Sequence, residues 1–313
     1  MKHQRHFPRF GSLTMFLVAA AILPATMTLA QPVAQARIEA PTANINITPR
    51  RVVFDGVKRT EAVYVFNQGT SPVTVDIALI DNVMLPTGEI APLAEVPRKG
   101  SAAQAAAARL QSAREAILAT PSRMTIEPGR SKAIRIRASI PESSGTTAEW
   151  RTHLTVSTVP PPDAGLTAEV ASSPKKGEMA FRIQSAFGVS IPLIVRGSAA
   201  AAVATLGPIS FERGEVPKAD GSVARNVPML SFQLSRTGAN SIYGNIEARI
   251  DGKAGREVIG FIRGIAVYPE IDQRRVVMQL NREPKPGETV IVAFYGDDPG
   301  LRGVTAEVRF TAQ

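Results

Sequence analysis

The sequence predicts an all-β protein made of two antiparallel sandwiches, and three patterns indicate this. From residue 45 onward, short apolar or alternating segments such as "RVVFDG" are separated by turns rich in Gly, Pro and Asn. This spacing is typical of sandwiches rather than α/β sheets. The small-residue segment "GSAAAAVATLG" suits a connection between two domains, and the chain is long enough for a core in each. We predict domains at 37–197 and 198–313.

The N-terminus has the pattern of a secretory signal peptide over residues 1–30. Three basic residues, Lys2, Arg5 and Arg9, precede a short apolar run that ends in small residues. The run is too short for a stable membrane span. Cleavage after Ala30 and cleavage after Ala36 both fit. We therefore expect an exported, soluble mature protein.

Composition excludes several classes of function. The formal net charge of +9 falls to +6 once the three basic residues of the leader are removed. This excess fits either a solvated basic surface or an acidic partner, while export makes nucleic acid an unsuitable one. The chain has no cysteine, so we expect no disulfide, thiolate catalysis or cysteine-bound metal.

Motifs for catalysis or cofactor binding are also missing from the sequence. His153 is the only histidine outside the leader, so we expect it to pack within a sandwich and not to bind a metal. No G-x-S-x-G elbow, phosphate loop or calcium loop occurs. We expect a protein without enzymatic activity, cofactor or metal.

One segment, 101–118, has helical spacing in place of strand alternation. Its apolar residues recur at Ala103, Ala106, Leu110, Ala113 and Ile117. Ser101 suits an N-cap, and Pro121 follows soon after the last apolar residue. The pattern predicts one surface helix inserted between two strands of the first domain.

A second segment, 181–195, alternates for longer than an ordinary strand. Its apolar row comprises Phe181, Ile183, Phe187, Val189, Ile191, Leu193 and Val195, interrupted by Ser185. Pro192 lacks an N–H, which favours a position at a sheet edge. Such a row either faces the core of its own domain or remains open to a partner.

Four further stretches, in this order, resemble the PapD-like periplasmic chaperones of pilus assembly. They are "TPRRVVFDG", "ILATPSRMTIEPGRSKAIRIRA", "EWRTHLTVSTVPP" and "QSAFGVSIPLIVR". The resemblance covers most of 45–197, whereas the second domain matches chiefly in "FYGDDPG". It implies two immunoglobulin-like domains arranged around a cleft, and a periplasmic location.

The resemblance also implies a function. Chaperones of this family bind immature pilus or fimbrial subunits by donating an edge strand, a form of β-augmentation. The matching donor residues here are Ile183, Ser185, Phe187, Val189 and Ile191. The same edge offers a route to self-association. The alternative is a structural or interaction protein with the same two-domain fold and no chaperone role.

The resemblance further assigns two sets of charged residues. Arg51, or its neighbour Arg50, matches a basic residue that binds the carboxylate end of the subunit. The second basic residue of that anchor falls on Pro192, which carries no charge. A further trio, Glu149, Arg196 and Asp298, matches three charges that bridge the two domains.

Overall fold

The computed structural model describes residues 44–141, 149–160, 186–197, 202–252, 255–298 and 302–312. The predicted leader and the candidate donor residues Ile183 and Ser185 lie outside these ranges. Strands dominate the described residues, which contain one α-helix. The predicted all-β class is confirmed. Within these ranges, no helix has the length and apolar character needed to cross a bilayer.

The strands between residues 45 and 196 form two facing sheets and a small hairpin. They are β1 (Ile45–Thr48), β2 (Val52–Phe54), β3 (Thr60–Asn67), β4 (Val73–Ile80), β5 (Asn82–Met84), β6 (Ile90–Pro92), β7 (Ile117–Thr120), β8 (Arg123–Ile126), β9 (Ser131–Ala138), β10 (Glu149–Val159) and β11 (Gly188–Arg196). One sheet has the order β1-β3-β9-β7 and the other β2-β11-β10-β4-β8, while β5 pairs with β6. We call the two larger sheets the first sandwich.

Alternating apolar residues explain why these two sheets pack together. Val63 and Val65 of β3 and Ile134 and Ile136 of β9 are buried from one sheet. Leu154 and other alternate residues of the second sheet meet them in a single hydrophobic cluster. On β3 and β9 their outward-facing neighbours are mostly exposed, whereas on β10 several of them are buried. The period-two pattern of the sequence therefore specifies a sandwich with one dry interior.

The strands between residues 202 and 311 form a second sandwich. They are β12 (Ala202–Leu206), β13 (Ser210–Pro217), β14 (Val223–Gly238), β15 (Ile242–Gly252), β16 (Gly255–Val267), β17 (Gln273–Gln279), β18 (Thr289–Gly296) and β19 (Gly303–Thr311). The long β14 pairs with β12, β13 and β17, and the facing sheet has the order β16-β15-β18-β19. The last strand of the first sandwich thus ends at Arg196, and the first strand of the second sandwich begins at Ala202. The division of the two domains between residues 197 and 198 stays a prediction.

The inserted helix α1 (Ser101–Ala108) is shorter than the sequence predicted. Short 3-10 turns lie before it at Leu93–Arg98 and after it at Arg114–Ala116. The sequence predicted helix as far as residue 118, but Ile117 instead begins β7, which pairs with β9. At the start, Gly100 is the N-cap residue and no side chain caps the helix, so Ser101 does not play that part.

The insertion packs on the second sandwich although it belongs to the first in sequence. Ala103 and Ala106 of α1 and Val96 lie in the same hydrophobic cluster as the second core. Ala113 and Ile117, which continue the helical spacing in the sequence, lie in the first core instead. One apparent apolar stripe is therefore divided between two cores, and the insertion bridges them.

Candidate partner-binding cleft

Strand β11 has one open edge over half of its length. It pairs antiparallel with β10 from Gly188 to Arg196, but its parallel pairing with β2 covers only Leu193–Val195. Along 188–192, no other strand of the described chain pairs with its second edge. Unpaired N–H and C=O groups at a sheet edge can accept a further strand. This stretch is the described part of the predicted donor strand.

The apolar row of β11 turns from surface to core along the strand. Phe187, just before β11, keeps 37% of its surface exposed, and Val189 is half-buried. Ile191 is only 3% exposed and packs in the first core together with Leu193 and Val195. The side chain of Ile191 is therefore not available to a partner, contrary to the expectation from the sequence. Only Phe187 and Val189 remain as described donor side chains.

The structure brings Glu149, Arg196 and Asp298 together between the two sandwiches. Arg196 Nε donates to Glu149 Oε2 at 2.8 Å, and its Nη2 donates to Asp298 Oδ2 at 3.0 Å. All three side chains are almost fully buried. Although burial acts to lower the pKa of Arg196, the two carboxylates raise it above its ordinary value. The guanidinium is held charged in a buried interface.

Residues of the second sandwich complete the coordination of this cluster. Glu149 Oε2 also accepts from the backbone N and the hydroxyl of Ser241, at 3.1 and 3.0 Å. The hydroxyl of Ser241 lies 3.2 Å from Nη2 of Arg196. Buried charges are tolerated when they are paired and hydrogen-bonded on several sides. The cluster therefore links the first sandwich to the second through several hydrogen bonds.

The predicted carboxylate anchor, Arg51, is already bound to a carboxylate within the chain. Its Nη1 and Nη2 donate to Asp298 Oδ1 and Oδ2 at 2.6 and 3.1 Å, a two-pronged pair. The guanidinium also lies 4.5 Å from the ring centroid of Tyr243. Arg51 thus extends the cluster of Glu149, Arg196 and Asp298 and does not face an open site. Its neighbour Arg50 is exposed and forms no ion pair with any described residue.

A second buried ion pair, which we did not predict from the sequence, joins the sandwiches. Arg151 bonds to Glu270, each with 2% of its side chain exposed, and its guanidinium stacks 3.8 Å from the ring centroid of Tyr268. The available signal was the row of polar residues Glu149, Arg151 and His153 at alternate positions of one strand. Glu270, in a turn of the second sandwich, gave no comparable signal.

His153 lies beside this pair in a neutral form. Burial, assisted by the charge of Arg151, lowers the pKa of His153 to about 3. Its Nε2 lies 3.4 Å from Nη1 of Arg151, and its Nδ1 has no protein partner in the described chain. The ring is therefore a neutral member of an interface that is otherwise highly charged.

A cavity of about 410 Å³ separates the outer face of β10 and β11 from the insertion and the second sandwich. We call it the cleft. Its walls include Ile80, Ile90, Pro192 and Tyr268, with His153 at one side. The nearby arginines, Arg51 and Arg151, are each paired with a carboxylate. The cleft therefore presents apolar and neutral groups. Neither Arg51 nor Arg151 offers it an unpaired positive charge.

Comparisons with known proteins found similarity only among solved structures. No family model and no curated protein sequence matches the chain. The YadV chaperone is 17% identical, with 85% of this chain and 98% of that chain covered and a TM-score of 0.40. The E. coli chaperone DraB is 13% identical over 87% and 97%, also with a TM-score of 0.40. The SafB chaperone of Salmonella enterica, solved with the SafA pilin, is 12% identical over 87% and 98%, again at 0.40.

Replacing Arg196 should destabilise the protein far more than replacing an exposed arginine. Arg196→Met leaves Glu149 buried without its cation, so we expect the free energy of unfolding to fall by about 3 kcal/mol. Arg275→Met is the control, because it breaks an exposed pair with Glu212 and should cost less than about 1 kcal/mol. Urea denaturation of both variants measures the difference, and equal small losses would contradict the buried cluster.

His153 should make the stability pH-dependent in a defined window. Unfolded histidine binds a proton below its ordinary pKa of about 6.5, whereas the folded protein resists protonation until about pH 3. Stability is therefore lost as the pH falls through this range, by roughly 2 kcal/mol between pH 6.5 and 5.

His153→Gln removes this titration, so its stability should change less over the same interval. The comparison uses urea denaturation of both proteins at pH 7.5 and pH 5, and only the change between the two pH values counts. An identical pH dependence in the two proteins would show that His153 is not held neutral.

Proposed function

We propose that the protein is a periplasmic chaperone that binds immature pilus or fimbrial subunits by adding a strand along the open edge of β11. The observation that carries the proposal is the unpaired edge at 188–192, adjacent to the cleft. The resemblance of the ordered sequence motifs to PapD-like chaperones supports the same role. This role requires neither a catalytic residue nor a cofactor.

Strand addition explains why an incomplete subunit would bind here. A subunit that lacks one strand exposes apolar pockets and unpaired backbone groups. The edge of β11 supplies N–H and C=O groups to the backbone, while Phe187 and Val189 supply apolar side chains. Full burial of such a side chain contributes roughly 1.5–3 kcal/mol before the loss of conformational entropy.

The proposed contact differs from one anchored by a carboxylate. Arg51 is bound to Asp298, and Pro192 occupies the other anchor position. Among the predicted anchor residues, Arg50 alone is exposed. We therefore infer that the backbone ladder and the side chains of Phe187 and Val189 dominate binding, with Arg50 as the available cation.

A structural or interaction protein with the same fold is the second candidate function. Two observations favour it: Ile191 is committed to the first core, and Pro192 cannot donate to an added strand. Both shorten the edge that a subunit could use. A second copy of this chain, pairing edge to edge, is one partner of this kind. The two functions differ in whether the partner binds only while it lacks a strand.

Affinity capture of the tagged mature protein from its native exported fraction tests the proposal. Phe187→Asp places a charge in the contact and should abolish capture of a β-rich partner. Val203→Asp is the matched control, because Val203 is an apolar residue of the second sandwich that is 57% exposed. This control should capture the partner as the unaltered protein does.

Hydrogen exchange of the captured complex adds a local measurement. Backbone amides within 188–192 should exchange more slowly in the complex, because strand addition pairs those that face the open edge. Equal capture by both variants, or unchanged exchange in this stretch, would contradict strand addition at β11. A captured partner with the mass of this chain would favour the second candidate function.

A further inference from the structure

The outer face of the sheet β1-β3-β9-β7 carries basic and apolar side chains in an ordered array. Arg135 and Arg137 project outward from β9, two residues apart, and both are exposed. Their cross-strand neighbours include Ala62 and Thr60 on β3, and Leu118 lies beside Arg137 on β7. We call this surface the β9 face.

The two arginines of the β9 face differ from most other arginines of the protein. Arg109, Arg123, Arg213 and Arg275 are also largely exposed, yet each pairs with a carboxylate. Arg135 and Arg137 form no ion pair with any described carboxylate. The same holds for other basic residues on or around this sheet, namely Arg59, Arg130 and Lys132. The positive charge here is not balanced locally.

The β9 face is concave at its centre and apolar at its margins. Arg135 and Arg137 line a shallow, open trough of about 600 Å³, with Thr60 and Ala62 of β3 on one side of them and Leu118 and Thr120 of β7 on the other. Leu118 is 64% exposed, and Tyr64 and Phe66 on β3 are 45% and 38% exposed. Glu61, at the rim, is paired with Lys58. Small side chains on the floor leave both guanidinium groups accessible from above.

We propose that the β9 face binds an acidic, extended polypeptide segment of a partner protein. Alternate residues of an extended chain are about 6.6–6.8 Å apart, so carboxylates at positions i and i+2 match the spacing of Arg135 and Arg137. Each guanidinium can bind a carboxylate through two parallel hydrogen bonds. Leu118, beside Arg137, offers an apolar contact to the aliphatic part of a bound acidic side chain, while the side chains between the acids point away from the face. This site lies on the opposite sheet from β11 and adds a second interface to the proposed function.

The shape and chemistry of the face favour a polypeptide over an anionic membrane. The two arginines line a shallow trough, which a single extended chain can enter more readily than a flat bilayer surface. Clustered lysines would serve a diffuse negative surface equally well, but arginine is suited to discrete carboxylates. Exposed ion pairs are individually weak, so recognition requires both arginines together and weakens with salt.

A capped 12-residue peptide of alternating Glu and Thr is a suitable probe, with the Gln/Thr peptide as its neutral counterpart. In NMR titrations of the mature protein at 50 mM NaCl, the acidic peptide should shift the side-chain Nε–Hε signals of Arg135 and Arg137. We expect the dissociation constant to rise about tenfold in the double variant Arg135→Gln/Arg137→Gln, and to rise in the unaltered protein at 300 mM NaCl.

The double variant Arg98→Gln/Lys218→Gln is the matched control, because it removes the same charge from exposed positions elsewhere. Its dissociation constant should change less than twofold. Equal weakening in both double variants would reduce the effect to net charge and overturn the proposal, as would equal binding of the Gln/Thr peptide.

Vesicles with 25% phosphatidylglycerol test the lipid alternative. If the vesicles bind through Arg135 and Arg137 and the acidic peptide does not bind, the face is assigned to lipid instead. Phe187→Asp should leave peptide binding unchanged, which separates this test from that of the proposed function.

Discussion

The arrangement of the molecule depends on one buried guanidinium. Arg196 ends β11 in the first sandwich and bonds to Glu149 at the start of β10 and to Asp298 in the second sandwich. A charge so completely buried is stable only if its partners stay in place. Because β10 begins and β11 ends at this cluster, its hydrogen bonds connect the strand that carries the open edge to the second sandwich.

Further contacts make the two sandwiches a single structural unit. Arg151 and Glu270 form a second buried pair, and Arg109 of the insertion pairs with Asp272. The insertion also shares a hydrophobic cluster with the second core. A cleft formed in advance lowers the entropy that binding must overcome. Asp298, which joins the second sandwich to Arg196, also binds Arg51, the arginine that could have served an incoming carboxylate.

Local patterns in the sequence predicted local structure well and tertiary partners poorly. Period-two alternation located the strands because each side chain's face is fixed by its position along the strand. The same rule did not show that Ile191 is buried and Phe187 partly exposed, since this depends on how far the first core extends along β11. Helical spacing located the start of α1 but predicted a helix that is too long, because Ile117 pairs with β9 as part of β7. Glu270 and Asp272 lie in a turn whose sequence gives no sign of its partners.

We propose that the buried charges hold the two sandwiches in one orientation. Since the chain has no cysteine, Lys132→Cys and Lys285→Cys place a single pair of spin labels, one on each sandwich. Pulsed electron paramagnetic resonance should give one narrow distance distribution, which adding Arg196→Met broadens. A broad distribution with Arg196 in place, or an unchanged narrow one without it, would show that the buried charges do not hold this orientation.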